Sequence, residues 1–271
     1  MEIVTFPNPK ASIIILAHNQ LEYTKACIAS IEEHTPGPYE LVLVDNGSTD
    51  GTRAFFERKK RHGAKTVYNG HNLGYSSGVN QGLRVAQGDR IVLLNNDTLV
   101  TEGWLSRLAA PVKAKPITGG EAPVGIVGPI TNRVRPGAQY FGEHYSTRRG
   151  LALWARFVAR MNTGNVVPVD SVVGMCMLIT RACFERVGLF DERFGIGNFE
   201  DDDYCRRARA LGFEVAIATD CWIHHEGSVT FRAAGIDYNS LIARNRRLLE
   251  EKWKDPRKAA VPRQGLLVVA R

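Results

Sequence analysis

Short β-branched runs that stop at polar or acidic residues, each followed by a segment of helical spacing, confine this chain to few architectures. "ASIIILA" (11–17) has the form of a strand buried on both faces. "LEYTKACIASIEEH" (21–34) follows with Leu21, Ala26, Ile28 and Ile31 at roughly helical spacing, and "TPGP" stops it. "ELVLVD" (40–45) is a second buried strand ending on a carboxylate, and "NGSTDGT" then turns, with Thr49 or Asp50 able to cap a helix through "RAFFERKKR". "AKTVY" (64–68) is a third strand, followed by a helix predicted over 76–86. "RIVLLNNDTLV" (90–100) is a fourth, delivering Asn95, Asn96 and Asp97 to one point.

This rhythm predicts right-handed βαβ units, and so an α/β fold with a mostly parallel central sheet flanked by helices. In such sheets ligands bind beyond the carboxyl ends of the strands. Asp45 and Asp97 both stand at strand ends.

The second half is less regular. "VGIVGP" (124–129) reads as a strand, and 130–168 as a long loop region with a short helix around "LALWARFVAR". "VDSVVGMCMLITRACFERVG" passes from a strand into a helix at Arg181. "EDDDYCRRARALG" (200–212) is a helix with acids in its first turn, bases later and Gly212 at its end, as the helix dipole favours. With no repeat and no linker, one domain is expected over 1–271: 11–129 and 130–235 as two halves, then a C-terminal helix and tail over 236–271.

Composition narrows the partners. A formal charge of +7 favours anionic partners without choosing among nucleotide, lipid and nucleic acid, and no nucleic-acid-binding motif is present. Cys27, Cys176, Cys183, Cys205 and Cys221 are odd in number and form no CxxC pair, which argues against a structural zinc site and for a reducing setting. No apolar run is long enough to span a membrane, and "MEIVTFPNPK" lacks the pattern of a secretory signal, so a cytoplasmic location is expected. The basic stretch 243–258 reads as a solvated helix face or as a peripheral contact with anionic lipid at the inner face of the membrane.

The chemistry-bearing residues each carry a plain reading and a sharper one. Asp45 is good turn chemistry, or a carboxylate that accepts hydrogen bonds from a ribose or a base. Gly70, Gly74, Gly78 and Gly82 recur every four residues; Gly78 and Gly82 then share a helix face, for close packing or for ligand contact. Neither a P-loop nor a dinucleotide fingerprint is present. Asp97 is a turn residue, or a hard oxygen ligand suited to Mg2+ or Mn2+ on phosphates. Glu200 to Asp203 place four like charges in one helical turn, more than a helix start needs, so one could face a cleft as a general base. His224 and His225 are structural, or neutral imidazole ligands.

Taken in order, "SIIILAHN", "LVLVDNGSTDGT", "NLGYSSGVNQGL", "LLNNDT", "VGLFDERFGIGNFEDDDYCRRARALGFEV" and "IHHEGSVTF" resemble the family-2 glycosyltransferases of the GT-A fold, in particular the bacterial rhamnosyltransferase-like branch, from about residue 11 to 231. The resemblance implies an inverting, metal-assisted transferase of bacterial polysaccharide or glycoconjugate synthesis, which moves a hexosyl or deoxyhexosyl group from a nucleotide-diphosphate sugar to an acceptor hydroxyl. It assigns Ala17, His18 and Asn19 to the edge of the base, and Asp45 to base or ribose. Asn72, Gly74 and Asn80 would line the nucleotide-sugar cleft. Asp97 would hold the cation, Mn2+ or Mg2+, with His225 rather than His224 matching the His-x-Gly-Ser position that contacts metal or phosphate. Asp201 would be the catalytic base, supported by Glu200. Asn95 replaces the leading acid of the family's Asp-x-Asp motif, and Asn95 and Asn96 would hydrogen-bond ribose, water or phosphate. Two other classes compete. A nucleotidyltransferase would need a basic glycine-rich loop near the first strand, which "ILAHNQLEY" lacks; an inactive sugar-binding protein would not need Asp45, Asp97 and Asp201 together.

Overall fold

The computed structural model describes residues 10–113, 116–134, 139–227 and 237–255. In chain order the elements are β1 (Ala11–Ala17), α1 (Leu21–His34), β2 (Tyr39–Asp45), α2 (Thr52–Arg61), β3 (Lys65–Tyr68), α3 (Tyr75–Val85), β4 (Arg90–Asn95) and β5 (Thr98–Leu99). There follow α4 (Trp104–Lys113), β6 (Val124–Ile130), α5 (Arg148–Met161), β7 (Val166–Pro168), β8 (Cys176–Thr180), α6 (Arg181–Val187), α7 (Glu200–Ala210), β9 (Glu214–Trp222), β10 (His224–His225) and α8 (Tyr238–Trp253).

Eight strands form one sheet in the order β3-β2-β1-β4-β8-β6-β9-β7, and β10 pairs separately with β5. The first four run parallel, as the sequence predicts; β8 runs antiparallel to both β4 and β6. The sheet therefore continues across the 129/130 division between the two halves expected from sequence. β1 lies between β2 and β4 with Ala17 opposite Asp45 and Leu16 opposite Asn95, so the three strands deliver their carboxyl ends to one edge. Strand order grows outward from β1 to β3, then reverses to place β4 on the other side of β1. A crevice opens at such a reversal.

Both faces of the sheet are covered, which is why β1 is apolar at successive positions. Ile13 and Ile15 pack in a cluster with Ile28, Ile31, Phe56 and Trp104 of α1, α2 and α4. Ile14 belongs to the opposite cluster, with Val79 and Leu83 of α3, Val158 of α5, Phe184 of α6 and Tyr204 of α7. The glycine spacing in α3 has a packing cause: a Cβ on Gly82 would stand 2.5 Å from Ile14 Cγ2, and one on Gly78 would run into Leu16. The helix lies so close to β1 that side chains there have no room.

Three segments differ from expectation. α4 falls where no element was expected, with Pro111 inside it. α5 has 14 residues, four turns rather than a short helix, started by Thr147 Oγ1 accepting from Gly150 N at 3.0 Å. Asp50 serves two helices rather than one: Oδ1 accepts from Thr52 N at 3.1 Å and Oδ2 from Leu21 N at 2.9 Å. Ser228 and the basic tail past 255 lie outside the described residues.

A buried ion cluster fixes α8 against α7. Lys252 Nζ stands 2.8 Å from Asp191 Oδ2 and 2.9 Å from Asp203 Oδ2, while Arg207 Nε donates to Asp203 Oδ2 at 2.9 Å. Trp253 Nε1 donates to Asp203 Oδ1 at 3.1 Å, and Arg207 also donates to the carbonyls of Val187 and Leu189, so the charges are well satisfied. Burial disfavours the charged Asp191 carboxyl, yet Arg193 and Lys252 outweigh it and hold it well below the usual carboxylate range. Its folded pKa lies below the unfolded value, so this stabilisation is present above about pH 4 and is lost as pH falls through the folded value. Lys252→Met should cost about 3–5 kcal/mol at pH 7. Urea denaturation should show the gap to wild type narrowing below about pH 4.

Candidate active site

A cavity of about 630 Å3 opens at the strand-order reversal. Leu16 and His18 reach it from the end of β1, and Asn95, Asn96 and Asp97 from the end of β4. Asn72, Gly74 and Tyr75 line it at the start of α3; Asn132, Arg133 and His225 line the wall beyond β6. Gly197 to Asp201 close it from the loop that enters α7, and Tyr238 and Ile242 reach it from α8.

Asn46, which the sequence reading did not single out, organises one wall. Its amide is 2% exposed and fully used: Nδ2 donates to Asn72 Oδ1 (2.8 Å) and Gly74 O (3.1 Å), while Oδ1 accepts from Asn69 Nδ2 and Leu73 N, both at 3.0 Å. Its backbone N donates to Ala17 O, and its carbonyl lies 2.9 Å from His18 Nδ1. An amide offers two N–H groups and two lone pairs in a fixed plane, so one side chain ties the turn after β2 to the 69–74 loop. The bond to Asn46 O puts the proton of a neutral His18 on Nδ1. Gly74 completes the wall at φ +88, where a Cβ would lie 2.5 Å from Gly195 O.

Several expected ligand residues instead hold this wall from behind. Ala17 is fully buried in the core and Asn19 bonds Thr49 N through Oδ1 at 2.8 Å, so of the three residues expected to edge the base only His18 lines the cavity. Asp45 is 1% exposed, accepts from Ser48 N at 2.9 Å and is not among the lining residues, as its turn reading anticipates. Asn80 does not line the cleft. It is fully buried and clamps the 190–192 segment, donating to Phe190 O (3.0 Å) and Glu192 Oε1 (2.9 Å) and accepting from Phe190 N (2.8 Å).

At the opposite wall, the short β5–β10 pairing sets His225 against Thr98 and so beside Asp97. His225 N donates to Asn132 Oδ1 and Nδ1 donates to Arg133 O, both at 2.8 Å. The proton is thereby fixed on Nδ1, leaving Nε2 with the lone pair in the neutral ring. Among the described residues that buried Nε2 has no hydrogen-bond partner, and it stands 3.3 Å from Asp97 Oδ1, at ion-pair distance. Burial pulls the His225 pKa down, but the Asp97 carboxylate outweighs it and the net shift is upward. A carboxylate oxygen and an unshared imidazole nitrogen converging on one point fit a divalent cation. Among the described residues no group of three such ligands occurs, so phosphates and water would complete the shell.

His224 does not line the cavity. Adjacent strand residues face opposite sides, and its ring lies 2.6 Å from Tyr145 Oη through Nδ1 and 3.2 Å from Glu226 Oε1 through Nε2. Asn96 lines the cavity but donates to Thr24 Oγ1 at 2.9 Å. Asn95 lines it too, with its backbone N donating to Met175 O at 2.9 Å.

The acidic run of α7 divides its work. Asp203 points into the ion cluster, whereas Glu200 and Asp201 line the cavity. Asp201 accepts from Gly174 N through Oδ2 and from Asp202 N through Oδ1, both at 2.8 Å, which fixes its orientation. Tyr75 Oη donates to Gly174 O at 3.1 Å, and burial, then the Glu200 and Asp201 carboxylates, push its pKa well up, so it remains a donor. The preceding loop is strained: Asn198 and Phe199 have φ of +74 and +72. For a bulky residue this costs on the order of 1–3 kcal/mol. Asn245 of α8 holds the loop in place, its Nδ2 donating to Phe194 O and Gly197 O at 2.8 Å each.

Residues 12–166 match the family model "Glycosyl transferase family 2". An uncharacterised protein of Sinorhizobium fredii is 26% identical over 82% of this chain, which spans 25% of its length. A hexosyltransferase of low-salt glycan biosynthesis from Haloferax volcanii is 27% identical over 75% of the chain, which spans 63% of it. The N-acetylglucosaminyl-diphospho-decaprenol L-rhamnosyltransferase of Mycobacterium tuberculosis is 25% identical, with 81% of this chain and 77% of that one covered. Among solved structures, GalNAc-T7 with UDP, GalNAc and Mn2+ superposes with a TM-score of 0.61 at 17% identity, over 80% of this chain and 44% of that one. The mannosyltransferase PcManGT of Pyrobaculum calidifontis, with GDP-Man and Mn2+, gives 0.58 at 18%, over 84% and 61%. The fold is thus the GT-A fold.

Asn46→Asp keeps the size of the side chain but turns the donor facing Asn72 Oδ1 and Gly74 O into an acceptor. Thermal unfolding should show a loss of roughly 2–4 kcal/mol.

Proposed function

Since the chain belongs to glycosyl transferase family 2, we propose that it transfers a sugar from a nucleotide-diphosphate sugar to an acceptor hydroxyl, with inversion at the anomeric carbon. The observation that carries this reading is one cavity with a fixed carboxylate, Asp201, on one wall and the Asp97–His225 pair on another.

An acceptor hydroxyl has a pKa far above 7 and attacks well only if a base takes its proton as the new bond forms. Asp201 is the residue oriented for this, because both its oxygens are anchored by backbone N–H groups while the side chain lines the cavity. Glu200 beside it is the supporting acid. The nucleotide lies along the β1–β4 crevice, where the His18 ring offers a stacking face and Asn72, Gly74, Asn95 and Asn96 offer polar groups to ribose and phosphate. A divalent cation, Mn2+ or Mg2+, held by Asp97 and His225 would supply positive charge to the diphosphate as it leaves. Arg133 adds a cation to the same wall, with Nη1 donating to Glu226 O at 3.0 Å. Attack from the Asp201 side with departure toward Asp97 is a single displacement, and inverts the centre.

The mycobacterial relative's name gives a diphospholipid-linked sugar as acceptor and L-rhamnose as the transferred group. An acceptor of that broad kind, a glycan or glycolipid of polysaccharide synthesis, is proposed for this chain.

A thermal-shift screen of nucleotide sugars with and without Mn2+ tests the donor. At least one should raise the melting temperature in a Mn2+-dependent way, and Asp97→Ala should remove most of the Mn2+ dependence. Asp201→Asn should lower transfer by about 10²–10⁴-fold while keeping the donor-induced shift. Wild-type activity in that variant would rule out Asp201 as the base.

A further inference from the structure

The sequence reading placed membrane contact on the basic C-terminal stretch, but α8 turns its apolar residues inward. Leu249 is 4% exposed and clusters with Phe194 and Phe199, and Ile242, Leu248 and Trp253 pack against them. The outward apolar face belongs to α5. Leu153, Phe157 and Met161 recur four residues apart and are 57%, 50% and 67% exposed. They line up on one side of the helix because 3.6 residues make a turn. The opposite side, with Leu151, Ala155 and Val158, is in the core.

The charged residues of α5 itself carry one sign. α5 contains Arg148, Arg149, Arg156 and Arg160 and no acid, and all four arginines are exposed. Among the described residues Arg156 alone of these reaches a carboxylate, Glu102 at 2.9 Å, and both partners of that pair are exposed. The stripe is extended by aromatic residues: Phe157 stacks on Trp154 at 5.4 Å between centroids, and Phe141, itself 38% exposed, lies 5.8 Å from Trp154.

We propose that α5 is an interfacial helix that seats Leu153, Phe157 and Met161 in the headgroup region of an anionic lipid surface, with its arginines on the phosphates. Apolar side chains flanked by arginines on one surface-lying helix are the composition that partitions into that region. The charge distribution selects the occupant. A second copy docked through the same face would bring four arginines against four more, whereas an anionic surface complements them. The docked helix is coupled to the cavity through rings: Trp154 lies 6.1 Å from Trp222, Tyr145 lies 6.3 Å from Trp222, and Tyr145 Oη meets His224, the neighbour of His225. Anchoring here would hold the site beside a lipid-borne acceptor. The inference itself needs no transfer activity and does not rest on the proposed reaction.

Co-sedimentation of the full chain with vesicles of phosphatidylcholine, with and without 30 mol% phosphatidylglycerol (about one lipid in three, to mimic an anionic leaflet), tests it. Binding should require phosphatidylglycerol and fall as salt is raised. Phe157→Ser with Met161→Ser should weaken binding about tenfold or more while the chain stays folded by circular dichroism, giving up only the stacking of Phe157 on Trp154. Arg149→Glu with Arg160→Glu should weaken it similarly, whereas Arg246→Glu with Arg247→Glu on α8 should retain most of it. Equal binding to neutral vesicles, or full binding by the Phe157/Met161 variant, would overturn the assignment. So would light scattering that shows a dimer abolished by the Phe157/Met161 variant in a protein that ignores vesicles, because the face would then belong to a second copy.

Discussion

The pairing of β1 with β2 on one side and β4 on the other is the constraint from which the rest follows. Parallel register forces the three strands to end together, so whatever follows Ala17, Asp45 and Asn95 must share one small volume. Backbone polar groups in that volume have lost their ladder partners and must find others. Asn46 meets much of this demand with one amide, and the remaining edges, Asn72, Asn95 and Asp97, face the cavity. The site is therefore less an addition to the fold than the place where the sheet's own bonding stops.

The wall at the start of α7 has a different origin. Among the described residues no strand ends there; it is held by the left-handed turn at Asn198 and Phe199, the bonds from Asn245, and the Lys252 cluster with Asp191 and Asp203. Strain in a loop persists only where surrounding contacts over-determine it. α8 supplies those contacts and so fixes the loop that delivers Glu200 and Asp201.

How much of this was legible in the sequence follows from the range of each interaction. β1 to β4 and their helices were readable because their signals are local: β-branched runs, helical spacing, turn residues. α4 was not, since Pro111 interrupts the pattern that would reveal it. α5 extends past "LALWARFVAR" mainly at its start, where Arg148, Arg149 and Gly150 carry no apolar signal and the Thr147 cap sets the first turn. Within the site, Asp97, His225, Asp201 and His18 were found and do line the cavity. In sequence Asn46 is overshadowed by the acid beside it, and an amide that braces a loop, as Asn80 and Asn19 do, looks like one that binds a ligand. The resemblance already favours His225 over His224, and the two-residue pairing with Thr98 and Leu99 sets His225 beside Asp97.

The distance in sequence between Asp97 and His225 sets a timetable. They are 128 residues apart, and their 3.3 Å approach depends on a two-residue ladder. On a ribosome adding about 5–20 residues each second, Asp97 waits roughly 6–26 s before His225 is made. Asn245, which holds the Asn198–Phe199 turn, is made later still. The nascent chain can therefore complete its first four strands and bury their faces while the cavity stays unfinished. The cavity is complete only when synthesis has passed α8, so the protein assembles its scaffold first and its site last.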